Sequence, residues 1–120
     1  MCTIGILRFG SDEYVLFKNK DFARNEFDDR LVLDRDVFGV RGLSTWDGTD
    51  QASDVFSGIS LGANEHGLFC TDANVRGAVG HANYDELTEI ALREGRGVES
   101  GIAAIRDAVT NRPYLWANLV

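Results

Sequence analysis

The chain has 120 residues, 44% hydrophobic and 26% charged, a balance that fits one soluble globular domain burying somewhat over ~60% of its unfolded surface. A net charge of −7 repels polyanions and excludes nucleic acid and anionic membrane surfaces as expected partners. No apolar run approaches the ~18 residues of a membrane span and no basic segment leads into an apolar stretch at the start, so the chain reads as cytoplasmic.

The first segment, Cys2 to Phe9, alternates Cys2, Ile4 and Ile6 against Thr3, Gly5 and Leu7. Both faces are largely apolar, as in a strand covered on two sides. Gly10 to Glu13 is a turn, and Tyr14 to Phe22 reads as the return strand of a hairpin. Its pleat puts Lys18 on one face and Asp21 on the other, so both reach Cys2 only if the strand ends or bends between them.

Residues 23–54 are loop-rich, with short strands at Leu31–Leu33 and Val37–Leu43 and with Gly39, Gly42 and Gly48 as breaks. Asp28, Asp29, Asp34, Asp36, Asp47, Asp50 and Asp54 read as a solvated acidic face. Val55–Leu61 and Leu68–Val75 form a second hairpin about a turn at Gly62–Gly67, with His66 exposed in the turn. Asn83 with Glu86 three residues on predicts a capped helix that Gly95 and Gly97 stop. Val98, Ile102, Ile105 and Val109 share one stripe of a second helix, and the pair is expected to cover one face of a sheet. After Pro113, Tyr114–Val120 reads as the start of a further, buried strand. This predicts a single domain that is truncated or is a processed subunit, completed by its remainder or by a second subunit, with homo-oligomerisation open.

Cys2 and Cys70 form neither a CxxC pair nor a zinc spacing, and His66 and His81 do not stand at helical or finger spacing. No metal and no cofactor is expected. Cys70 reads as a buried small hydrophobe, and a Cys2–Cys70 disulfide is disfavoured in a reducing cytosol. Position 2 has its own chemistry. Removal of Met1 gives Cys2 a thiol and a free α-amine on one skeleton. An ordinary α-amine titrates near ~7.7–8.0 and a thiol near ~8.5, so nucleophile and base come from one residue.

Three motifs extend that reading: M-C-T-I-G-I-L-R-F at the start, K-N-K-D-F at 18–22, and G-A-N-E-H-G-L-F-C-T-D-A-N-V at 62–75. In this order they resemble the cysteine N-terminal nucleophile hydrolases. The nearest branch is the choloylglycine hydrolase and penicillin V acylase group with its acyl-CoA:6-aminopenicillanate acyltransferase-like relatives. Members begin M-C-T, continue R-N-x-D on the return strand and carry N-E-x-G-L leading to an asparagine. The match covers most of residues 1–22 and 55–75.

The resemblance implies an α+β fold, the αββα four-layer sandwich, of which this chain is the N-terminal part. It implies an amidohydrolase or acyltransferase acting on a small-molecule substrate at a non-peptide C–N amide bond through a thioester. Cys2 is then the nucleophile, Asp21 the carboxylate orienting its amine, and Asn74 a donor to the oxyanion. Lys18 stands where the family has arginine and keeps the thiolate region electropositive. A lysine is a point charge and cannot copy an arginine's bidentate contacts. The family also places an asparagine and an arginine beyond residue 120. Phe38, Trp46 and Phe56 are candidate walls of an apolar acyl pocket. The alternative is a non-catalytic subunit or binding module of the same fold.

Overall fold

A computed structural model describes residues 2–20, 29–43, 56–76 and 81–120. Its opening hairpin joins β1 (Thr3–Phe9) to β2 (Glu13–Asn19), antiparallel, in a register that sets Thr3 opposite Asn19 and Ile4 opposite Lys18. The return strand ends at Asn19, earlier than the expected Phe22. Residues 21–28, Asp21 among them, lie outside the described residues, as do 44–55 with Trp46.

The second sheet has five strands in the order β3 (Arg30–Leu33), β4 (Val37–Leu43), β5 (Phe56–Asn64), β6 (Phe69–Arg76) and β7 (Trp116–Leu119), each antiparallel to its neighbour. Two helices, α1 (Asp85–Glu94) and α2 (Val98–Asn111), lie between β6 and β7 in the chain. The described residues thus form a mixed α/β fold of two sheets and two helices. Among the described residues, no helix is long and apolar enough to cross a membrane.

One face of the five-stranded sheet is the core. Val37, Ile59, Leu68 and Cys70 meet Ala91 and Leu92 of α1, with Val32, Ile105 and Leu119 packed at the margin. The alternate residues Leu31, Leu33, Phe38 and Phe69 point to the other face and are exposed. There they form, with Tyr14, Val15 and Leu16 of β2, a groove of about 360 Å³. The hairpin therefore lies against the sheet face away from the helices.

Several boundaries differ from the sequence expectations. Gly62–Asn64 belongs to β5 and not to a turn, which is confined to 65–67. Gly39 is no break either: it pairs with Gly62 inside the sheet, where a Cβ at Gly39 would run into Ile59 and Leu61. The α1 N-cap is Tyr84, not Asn83. The Asn83 side chain sits one residue further out and accepts from the Asp85 N–H at 2.9 Å, so the expected capping box does not form. Of the α2 stripe only Ile105 packs against the core of the sheet and α1. Val98, Ile102 and Val109 are exposed, and the helix packs on α1 through its buried Gly101, in contact with Ala91 and Leu68. Beyond α2, Tyr114 makes only an isolated parallel bridge to Ala82 before β7 begins.

Gly58 seats α1. Its φ of 130° lies where L side chains rarely go, and a Cβ there would come within 2.7 Å of the Asp85 carbonyl. With glycine at this point, the first turn of α1 rests directly on β5.

Candidate active site

The site grows from two irregularities in β-pairing. In the β4–β5 ladder Val40 pairs with Leu61 and Arg41 with Ile59, so Ser60 is an extra residue, a bulge. The β5–β6 ladder ends at the neighbouring pair, Leu61 with Thr71, and the two strands part. A second bulge follows on the far side of β6. Asn74 pairs with Ala117 and Arg76 with Trp116, which leaves Val75 over. Bulges end pairing and re-aim side chains, and these two flank the stretch of β6 that carries Asp72 and Asn74.

Lys18 fills the fork. It reaches in from β2 with a side chain only 4% exposed, donating from Nζ to Asp72 Oδ1 at 2.5 Å and to the Ser60 carbonyl at 3.3 Å. The Thr71 hydroxyl donates to the same carbonyl at 3.0 Å, so the bulge's oxygen is fully used. Asp72 is itself inaccessible. Its other oxygen, Oδ2, accepts from Thr88 Oγ1 of α1 at 2.7 Å. Burial, together with the nearby negative charge of Asp85, lifts the Asp72 carboxyl to about 7, against the opposing pull of Lys18 and Thr88.

Cys2 stands one residue before β1, half-buried. Alternation puts it on the hairpin face shared by Ile4 and its partner Lys18. From the opposite side comes Tyr84, 7% exposed, whose phenol hydrogen-bonds the Asn74 side chain within electrostatic reach of Cys2, Asp72 and Asp85. Burial first, then those negative groups, push the phenol well above its ordinary value, so it stays protonated. Cys70 is a different thiol. It lies in the core, touches Thr88, and burial raises it to about 11. Both cysteines are free.

Lys18 and Asn74, distant in sequence, thus share one polar cluster with Asp72, Thr88 and Tyr84, and Cys2 lies within electrostatic reach of Tyr84. Asp21 and Trp46 lie outside the described residues, and of Phe56 only the backbone in β5 is described. Phe38 lies half-exposed in the groove beside Leu16, whose lining does not include Cys2, Lys18 or Asn74. Asn64, of the N-E-x-G-L motif, serves the frame. Its Nδ2 donates to Leu92 O at 2.8 Å and to Gly95 O at 2.6 Å, and its Oδ1 accepts from the His66 and Leu68 N–H groups, both at 3.0 Å.

Asp72, Tyr84 and Thr88 carried signals that the sequence reading did not use. Asp72 is an acid in mid-strand, in phase with Asn74 two residues on. Thr88 follows Tyr84 by four residues, on one face of a helix. Comparison with family models, curated proteins and solved structures found no match.

Proposed function

We propose that the chain forms the N-terminal part of a cysteine N-terminal nucleophile hydrolase of the αββα type. It is an amidohydrolase or acyltransferase that cleaves a non-peptide C–N amide through Cys2. The observation that carries this reading is that Asn74 and the Lys18–Asp72 pair surround Tyr84, with Cys2, one residue before β1, within electrostatic reach of it. The helix layer on one sheet face and the hairpin against the other support the layered architecture.

With Met1 removed, the Cys2 α-amine accepts the thiol proton and the thiolate attacks the amide carbonyl carbon. The carbonyl oxygen becomes an oxyanion that Asn74 Nδ2 and a backbone N–H stabilise; one such donor contributes about 2.7–4 kcal/mol. As the intermediate collapses, the C–N bond breaks and the Cys2 ammonium returns its proton to the leaving nitrogen. Water or a second amine then attacks the thioester, giving its proton to the α-amine, and the thiol leaves protonated again. Asp21 is assigned to holding the amine, and Lys18 to offsetting the negative charge that builds up on sulfur.

The intact mass of the purified chain reports whether Met1 is gone. On the processed protein, p-nitrophenyl acetate should acylate Cys2, seen as a p-nitrophenolate burst and an acetyl adduct of about 42 Da on the Cys2 peptide, and Cys2→Ala should abolish both. A burst that survives Cys2→Ala overturns the mechanism.

A second reading draws on the Lys18–Asp72 pair. The ammonium is already spent on a carboxylate and a carbonyl, as in a purely structural tie. A non-catalytic module of this fold would alkylate at Cys2 no faster than at Cys70, whose buried thiol sets a slow internal reference.

A further inference from the structure

Helix α2 turns its small residues inward and its large aliphatic ones outward. Gly101 is buried against Ala91 of α1 and Leu68, and Ala104 and Ala108, on the same side of the helix, are half-buried. Beside that face runs the aliphatic stripe. Val98 is 66% exposed, Ile102 and Val109 are each 45% exposed, and only Ile105 at the inner margin reaches the core. Valine and isoleucine are weaker helix formers than the straight-chain residues that suit an open helix face, so the helix itself gains nothing from holding them in water. The stripe runs on into a groove of about 460 Å³ whose walls include Ile105, Val109, Val75 and Trp116, the last two more than half exposed. A contiguous apolar surface of this kind marks an interaction site.

The charges beside the stripe say what fits it. Glu99 and Arg106 are exposed, seven residues apart, and therefore on one flank of the helix. Within α2 neither has an opposite charge three or four positions away, and among the described residues neither makes an ion pair. The opposite flank, with Gly101 and Ala108, faces α1. When two such helices run antiparallel about a two-fold axis, like flanks meet. With the axis between Ile102 and Ile105, Val98 of each copy faces Val109 of the other, and Glu99 of each lies beside Arg106 of the other. A parallel pair would bring the charged flank against the flank already packed on α1.

We propose that this face of α2 is a self-association surface whose occupant is α2 of a second copy of the chain, antiparallel across a two-fold axis. It is independent of the chemistry at Cys2. A helix of 14 residues is about 21 Å long, so the contact is small and the dimer forms and dissociates with concentration.

Sedimentation velocity of the full chain between about 5 μM and about 500 μM should show monomer passing to dimer. Ile102→Glu should keep the chain monomeric throughout with an unchanged circular dichroism spectrum; if it folds poorly, Val109→Glu takes its place. Glu99→Arg and Arg106→Glu each set like charges against one another and should weaken the dimer at least about tenfold. Mixed in equal amounts, those two single variants should associate with each other about as tightly as wild type, because each offers the charge the other lacks. If Glu99→Arg loosens the first turn of α2, Arg106→Glu against Arg106→Lys carries the test, the first weakening the dimer and the second keeping it. A wild-type chain that stays monomeric leaves the face to a different partner and overturns the proposal. A dimer that survives the glutamate at position 102 or 109, or that ignores the charge reversals, overturns it as well.

Discussion

Asp72 is the residue where burial and charge contend most directly. Its ordinary value near 3.8 rises to about 7 because desolvation and Asp85 outweigh Lys18 and Thr88. The sign of the consequence follows from proton counting. Between about pH 4 and pH 7 the folded chain retains a proton that the unfolded chain has released, so stability falls as pH rises through that window, then levels off. The slope from this group cannot exceed about 1.4 kcal/mol per pH unit. Urea midpoints should therefore be higher at pH 5 than at pH 7.5, once other carboxylates are controlled for by comparison with Asp72→Asn, in which this component vanishes. An equal pH slope in that variant would show that Asp72 titrates normally.

At the scale of elements, the second hairpin and α1 are joined by Asn64. It is 6% exposed and uses both ends of its amide, two donations to the C-terminal end of α1 and two acceptances within the β5–β6 turn. Asn64→Ala leaves three buried backbone groups and the part-buried His66 N–H without that partner, at about 1–3 kcal/mol for each buried one where water does not replace it. A loss of about 3 kcal/mol or more in urea unfolding is expected, whereas Asn74, whose amide is assigned to chemistry, should tolerate alanine with a much smaller loss. This contrast also shows what was legible in the sequence. The strands at 31–33 and 37–43, both hairpins and both helices follow from alternation, turn residues and 3.6-residue spacing, because each of those signals is local. The bulges at Ser60 and Val75 are not local signals: nothing in the composition of S-G-I-S-L or D-A-N-V-R marks the extra residue, which is decided by the facing strand. Asp72 was overlooked for the same reason, since its ionic partner lies on β2. Tyr84 was hidden by a capping pattern that its neighbour Asn83 only partly fulfils.

At the scale of the molecule, Lys18 ties the two sheets together. Its ammonium belongs to the two-stranded sheet and its acceptors to the five-stranded one. Replacing it by methionine strands a buried carboxylate, which costs about 3–5 kcal/mol when one partner of such a pair is removed. Asp72→Asn in the same chain should recover much of that loss, and a double variant as unstable as Lys18→Met alone would show that the two residues are not coupled. The tie also decides the order in which the native structure loosens. Among the described residues the hairpin meets the rest through the buried Lys18, the Lys20–Asp29 ion pair, β6 and the groove beside Leu16, whereas β4, β5 and α1 share the packed interior. Amide protons of β1 and β2 should accordingly trade with deuterium through openings that leave the larger sheet closed. On the proposed function, Cys2 would ride on a hairpin that opens ahead of the packed interior, free to swing out and admit a bulky acyl donor while the scaffold behind it holds still.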